Sequence, residues 1–213
     1  MSPDLLILGV CWIAYGAMHS ILVTTPITTW VRQRWRAVSA YYRLTYNVLS
    51  VIALIPILLF SHSIHTTPIL KWVWPYTCLQ YLCWALGILL FILGMRHYDG
   101  KEFLGLKQIS SYHKGLHTIE NHTLSRGGIH RIIRHPWYLG LLLVLWARDV
   151  SSVTLTTNSM LTMYLFVGTY LEEQKLVMKF GSNYREYQKT VPMFFPTQWL
   201  NKLRHSQKND VSH

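Results

Sequence analysis

Acidic residues are few in this sequence, nine Asp and Glu against twenty Lys and Arg, and charged residues of both signs make up only 14% of its 213 positions. So low a charge density, beside 51% hydrophobic residues, argues against a soluble domain and for a polytopic membrane protein folded as one domain. Cysteine is scarce too. Cys11, Cys78 and Cys83 all fall in apolar stretches, an odd set that offers neither a disulfide framework nor paired zinc-ligand spacing. Eleven histidines are present but no two are adjacent, so the paired boxes of a membrane di-iron oxygenase are missing. His113 and His117 read as part of a solvated basic loop despite their spacing with His122, and no metal is expected. The start, MSPD, lacks a positive n-region and a cleavage site, so the first apolar segment is expected to remain as an anchor. There is no internal repeat, and the polar tail at 201–213 is expected to fray. The net charge of +11 is spread between and after apolar stretches instead of forming one stripe, which argues against a nucleic-acid partner.

What the chain does have is long apolar runs. Three of them, Leu5 to Thr25, Tyr41 to Ser61 and Trp72 to Met95, reach the roughly 20 residues that cross about 30 Å of hydrocarbon. Pro56 and Pro75 are tolerable there, because neighbouring helices can satisfy the backbone groups a proline frees. Arg32, Arg34 and Arg36 lie between the first two runs and Arg43 at the start of the second, whereas only Lys71 separates the second from the third. Basic loops stay cytoplasmic, so the N-terminus is expected outside and the C-terminus in the cytoplasm, in a bacterial inner membrane. The basic stretch from Arg96 to Arg134 and the basic tail from Lys175 then share one side, and Trp137 to Tyr170 must enter the membrane and return. The first limb of that return, Trp137 to Ala147, is about half a span, and the second, Val153 to Tyr170, is rich in Thr and Ser. Such limbs belong where backbone lines a cavity. The expected fold is therefore all-α: three spanning helices plus a C-terminal helical hairpin, about five membrane segments around a cytoplasmic-facing pocket. Residues 1–95 would form the spans, 96–200 the binding core and 201–213 the tail of a single domain.

Ionisable groups bracket the hairpin, Arg134 and His135 before it, Glu172 and Glu173 after it. Charges beside a membrane-buried element are costly and suggest function. Closing the hairpin would gather a cation, an imidazole and two carboxylates around one pocket, although snorkelling ends, Arg to phosphate and Glu to solvent, produce the same placement. Pro136 biases His135 away from helical geometry and suits a first helical turn, whose backbone donors can meet an anionic group. Tyr138 adds a hydroxyl, and Gly140 permits close backbone approach.

With these residues in view, the chain resembles the membrane methyltransferase superfamily that includes isoprenylcysteine carboxyl methyltransferases, phospholipid methyltransferases, methanethiol S-methyltransferases and NnrU-type proteins. The matching positions are Gly128, Arg134-His135-Pro136-Trp137-Tyr138-Leu139-Gly140, Glu172-Glu173 with Leu176, Phe180-Gly181 with Tyr184 and Tyr187, and Val191-Pro192. His19-Ser20 and the stretches YRLTYN at 42–47 and FLGLKQ at 103–108 resemble the methanethiol methyltransferase and NnrU branch in particular. The resemblance implies S-adenosylmethionine as cofactor. By motif position it implies contacts from Gln108, His122, Thr123, Leu124, Ser125, His130, His135, Pro136, Trp137, Tyr138 and Glu172, to which the charge pattern adds Arg134 and Glu173, and the close backbone approach adds Gly140. His130 stands where the family has an aromatic residue, and Gly168 where the isoprenylcysteine enzymes place an arginine that holds the substrate carboxylate. The expected activity is therefore methyl transfer to a small or lipophilic acceptor, first of all a thiol, in contact with membrane lipids. The competing readings are an isoprenylcysteine-type carboxyl methyltransferase, an NADPH-dependent sterol-type reductase and a non-catalytic NnrU-like protein. The reductases share the Arg-His-Pro-x-Tyr turn but carry Asn and Glu where this chain has Trp137 and Leu141.

Overall fold

The computed structural model describes residues 2–96, 99–116, 124 and 126–196, and it is mostly helical. Helix α1 spans Pro3–Leu22, α2 Thr25–Arg34, α3 Arg36–Ser63, α4 Tyr76–Met95, α5 Gly100–Leu104, α6 Leu106–His113, α7 Pro136–Trp146, α8 Ser152–Phe180 and α9 Ser182–Thr190. A 3-10 turn, Gly128–Arg131, precedes α7. Helices α1, α3 and α4 are long and apolar enough to cross a bilayer, and they coincide with the three apolar runs of the sequence. Each exposes large aliphatic side chains, among them Val10, Leu59 and Leu82, as lipid-facing surfaces do. Helix α3 runs through Pro56 without a break. One departure from an all-α chain appears: β1, Pro68–Leu70, pairs antiparallel with β2, Val150–Ser151, with Pro68 opposite Ser151.

Contacts divide the described chain into two compact units, one drawn from 1–72, 98–121 and 149–164, the other from 73–97, 122–148 and 165–213. The core of the first is Leu8 and Trp12 of α1, Ile57 of α3 and Val153 of α8. Polar atoms within it are paired: Trp12 Nε1 donates to Thr157 Oγ1 at 3.2 Å. Asp99 caps α5 by accepting from the backbone N–H of Lys101 and Glu102, the usual partners of an N-cap carboxylate. Asn47 Nδ2 donates to the Phe103 carbonyl at 3.1 Å, tying α5 to α3.

In the second unit α7 packs along α4, and glycine makes the approach possible. A Cβ at Gly140 would lie 2.5 Å from the Gly87 carbonyl oxygen, and one at Gly87 would lie 2.8 Å from the Gly140 oxygen. Small residues at such a seam are the common device of membrane helix pairs, where close backbone contact replaces a hydrophobic drive. The eleven residues of α7 cover about 16 Å, half a bilayer. Its C-terminal end is satisfied inside the protein, with Gln80 Nε2 and Trp84 Nε1 of α4 both donating to the Ala147 carbonyl. A second cluster, Tyr184, Tyr187 and Val191 with Leu124, Leu176 and Phe180, holds α9 against the end of α8.

Candidate active site

The start of α7 is fixed by backbone before any side chain is considered. Arg134 N–H donates to the Pro192 carbonyl at 2.9 Å and His135 N–H to Met193 at 3.1 Å, so the segment after α9 forms a short ladder with the turn. His135 is the non-helical N-cap, at φ −122° and ψ 65°, and the buried Pro136 takes the first helical position. At the far end, Gly181 between α8 and α9 adopts φ 59° and ψ −131°, a conformation open to glycine that folds α9 back on α8.

Glu173 lies at the centre of what these turns bring together. Its Oε1 accepts from Arg134 Nε at 2.8 Å, His135 Nε2 at 2.8 Å and the Tyr184 hydroxyl at 2.8 Å. Its Oε2 accepts from Arg134 Nη2 at 2.9 Å and Gln188 Nε2 at 2.6 Å. The remaining guanidinium nitrogen, Nη1, donates to the Gln188 and Val191 carbonyls. Burial raises the Glu173 pKa, but the hydrogen bonds from His135, Arg134, Gln188 and Tyr184 outweigh it and hold the carboxyl well below the usual carboxylate range. Tyr184 moves the other way: burial, then the bond to the Glu173 carboxylate, raise its hydroxyl far above the ordinary phenol value. Tyr187, buried beside it, donates to the His130 carbonyl and is raised to about 12, chiefly by burial.

Glu172 behaves differently although it is the next residue. Its side chain is 32% exposed against 4% for Glu173. Only Oε2 is engaged, by the Tyr138 hydroxyl at 2.9 Å, with His135 Nδ1 at 3.9 Å. The Tyr138 ring is stacked on Trp137, at 4.3 Å between centroids, which sets the direction of its hydroxyl. The result is a buried, fully bonded Arg134-Glu173 pair carrying an adjacent carboxylate whose second oxygen accepts from no described residue.

The structure therefore brings Arg134, His135, Tyr138, Glu172 and Glu173 together. His130 adjoins them through its Nδ1 bond to the Arg134 carbonyl at 3.1 Å and is itself buried. Pro136 faces Gly94 of α4. Gly140, expected to admit a ligand, instead admits α4: the space its missing Cβ leaves is filled by Gly87 and Phe91. Gln108 belongs to the other unit, on α6, where its Nε2 donates to the Glu102 carbonyl at 3.4 Å. Leu124 packs with Tyr184, Tyr187 and Val191. His122, Thr123 and Ser125 lie outside the described residues, as do His117 and the tail at 201–213. His113 pairs with the Tyr41 hydroxyl at 2.9 Å, and among the described residues no three His, Cys, Asp or Glu side chains converge as a metal site would need. Sequence reasoning passed over Tyr184 and Gln188 as Glu173 partners. Their signal was the i, i+4 spacing on one face of α9.

No family model matches the chain, and no solved structure matches it. Characterised relatives do. A methanethiol S-methyltransferase of Pseudomonas deceptionensis is 29% identical over 203 residues, covering 86% of this chain and 69% of its own. Those of Crocosphaera subtropica and Mycobacterium tuberculosis are 27% and 26% identical, covering 85% and 91% of this chain and 71% and 77% of their own. The chain is similar to methanethiol S-methyltransferases along most of its length. The family is the one its turn, glutamate pair and upstream stretches resemble, and the shared alignments span both units described above.

Proposed function

We propose that this chain is an integral membrane, S-adenosylmethionine-dependent methyltransferase whose acceptor is a small thiol of the methanethiol type. The observation that carries the reading is a similarity to methanethiol S-methyltransferases over most of the chain. The donor set supports it. Glu172 offers a part-exposed carboxylate suited to the ammonium of the methionine moiety, oriented by Tyr138. The start of α7 carries the positive end of the helix dipole, suited to that moiety's carboxylate. Arg134, His135, Glu173, Tyr184 and Gln188 act one layer behind, holding the turn and α8 in register.

S-adenosylmethionine supplies the sulfonium methyl group. The protein's share is to hold donor and acceptor in line, worth up to about 7–11 kcal/mol in intramolecular models, and to exclude water from a reaction in which opposite charges are lost. In our reading α7 and the first part of α8 enter the bilayer and return, giving about five membrane segments in a single domain. The N-terminus is then outside and the C-terminus in the cytoplasm, as the arginines between α1 and α3 favour. The cofactor arrives from the cytoplasm and the thiol from the lipid. Gly168 bears on the acceptor: a Cβ there meets nothing within 4 Å, so packing does not enforce glycine where the isoprenylcysteine enzymes hold a carboxylate with arginine.

The test is to incubate membranes containing the chain with methyl-labelled S-adenosylmethionine and methanethiol, a prenylcysteine or phospholipid. Labelled dimethyl sulfide is the expected product. A methyl ester on the prenylcysteine, or no labelled product, would overturn the reading.

A further inference from the structure

Helix α2 has a length and a surface that neither a span nor a water-facing helix needs. Its ten residues cover about 15 Å, half a bilayer, and only Val23 and Thr24 separate it from the end of the apolar α1. Thr24, Ile27, Thr28 and Val31 recur at helical spacing on its inward side, with Val31 buried. The other side is exposed, and there Trp30 stands one turn before Arg34. Trp35, between α2 and α3, meets the Trp30 ring edge-on at 4.9 Å, and the two side chains are 46% and 56% exposed. An indole joins a large apolar body to one N–H, so an uncovered pair belongs where hydrocarbon gives way to headgroups.

Helix α3 sets that level. Its exposed large side chains from Val48 to Leu59 are all aliphatic. Its first turns instead follow α2 directly and hold α6 through Tyr41, whose hydroxyl lies 2.9 Å from His113 Nε2. This end of the helix is also where positive charge goes unbalanced. Arg32, Arg34 and Arg36 fall between Val23 and Tyr42 with no acid among them. The two acids of the α5 region are engaged by Lys107, whose Nζ lies 3.1 Å from Glu102 and 3.6 Å from Asp99. Among the described residues no carboxylate pairs with Arg34.

We propose that Trp30, Arg32, Arg34 and Trp35 form a docking surface for an anionic phospholipid, whose phosphate accepts from the guanidinium groups and whose acyl chains run onto the aliphatic surface of α3. A second copy of the chain would set arginine against arginine across a two-fold axis, and a zwitterionic lipid would bring its own ammonium to the same cations. The inference requires only that α1 and α3 cross the bilayer, and it stands whether or not the chain transfers methyl groups.

The experiment measures the affinity of the full-length chain in detergent for phosphatidylglycerol and for phosphatidylcholine. The wild type should bind phosphatidylglycerol the more tightly, by a margin that shrinks as salt is added. Arg34→Gln should weaken phosphatidylglycerol about fivefold, and Arg32→Gln with Arg34→Gln about 25-fold, with phosphatidylcholine unchanged. Lys71→Gln removes the same charge beyond the other end of α3 and should leave both affinities as in wild type. Equal affinity for the two lipids in wild type, or equal losses in Arg34→Gln and Lys71→Gln, overturns the proposal. A changed dimer fraction with unchanged lipid affinity assigns the surface to a second copy and overturns it too. Should the arginine variants fail to fold, the wild type decides in phosphatidylcholine nanodiscs carrying a trace of photoreactive phosphatidylglycerol: label is expected within residues 25–41, and label confined to other peptides refutes the site.

Discussion

Replacing Glu173 by Gln separates the roles of two adjacent glutamates. The amide keeps one acceptor oxygen and turns the other position into a donor, which must then face donors. The cheaper orientation sets the NH2 at Oε2, losing the bonds from Arg134 Nη2 and Gln188 Nε2, since Oε1 serves three donors and Oε2 two. Arg134, whose side chain is 8% exposed, is left with a buried charge and no counter-ion at that distance. Removing one partner of a buried pair costs about 3–5 kcal/mol. The variant should therefore lose much of its thermal stability in detergent or nanodiscs. Glu172→Gln should leave the melting temperature nearly unchanged and weaken S-adenosylmethionine binding about tenfold to a hundredfold, as the loss of one charge-assisted bond of about 1.5–3 kcal/mol implies. The pH dependence follows in sign. The folded carboxyl of Glu173 sits below its unfolded value of about 4.3, so its contribution to stability is complete above that pH and is lost only as the pH falls below it. A Glu173→Gln protein as stable as wild type, or one that melts normally and fails only to bind cofactor, would refute this division of roles.

Gly140→Ala should destabilise the second unit by about 1–3 kcal/mol, because the new methyl group meets the Gly87 carbonyl of α4; unchanged melting in nanodiscs would contradict the packing. Tyr138→Phe removes the hydroxyl that orients Glu172 and should raise the KM for S-adenosylmethionine by up to about tenfold with little change in stability, read from steady-state kinetics and melting curves. A Cβ at residue 168 meets nothing within 4 Å, and Gly168→Arg should shift acceptor preference from methanethiol towards carboxylate-bearing thiols, measured as a ratio of kcat/KM values; an unaltered ratio would detach residue 168 from acceptor choice.

The three spans were legible because a bilayer demands one thing of sequence, an apolar run of sufficient length, and α1, α3 and α4 each supply it. Helices α2, α5, α6 and α9 went unread because they are short, and their residues are decided by tertiary packing rather than by composition. The β1-β2 ladder left no local trace, since Pro68 and Ser151 are brought together only by the folded chain. Gly140 was legible as a place of close approach but not as to what approaches, because glycine at a helix seam and glycine under a ligand look the same in sequence. Arg134, His135 and the glutamate pair could be recognised by charge beside apolar sequence, but which carboxylate each donor takes is set by the return of α9, a fact of chain path.

The contrast between Glu172 and Glu173 nonetheless has a sequence-level cause. Thr169, Glu173, Leu176, Val177 and Phe180 recur at i, i+4, i+7, i+8 and i+11, the spacing of a single helical face, and the structure buries Thr169 and Glu173 while packing the other three around α9. Glu172 instead shares its face with Gly168, four residues earlier, where no neighbour comes within 4 Å of a Cβ position. A pair of glutamates on a helix is thus divided by 100° of rotation: one carboxylate is driven into the protein, where it must be neutralised by Arg134, and the other is held at the edge of that neutralised core. The buried ion pair cancels its own charge, so of the two carboxylates beside the start of α7 it is Glu172 that lacks a paired cation, which is why our proposal assigns a cationic ligand end to Glu172 rather than to Glu173.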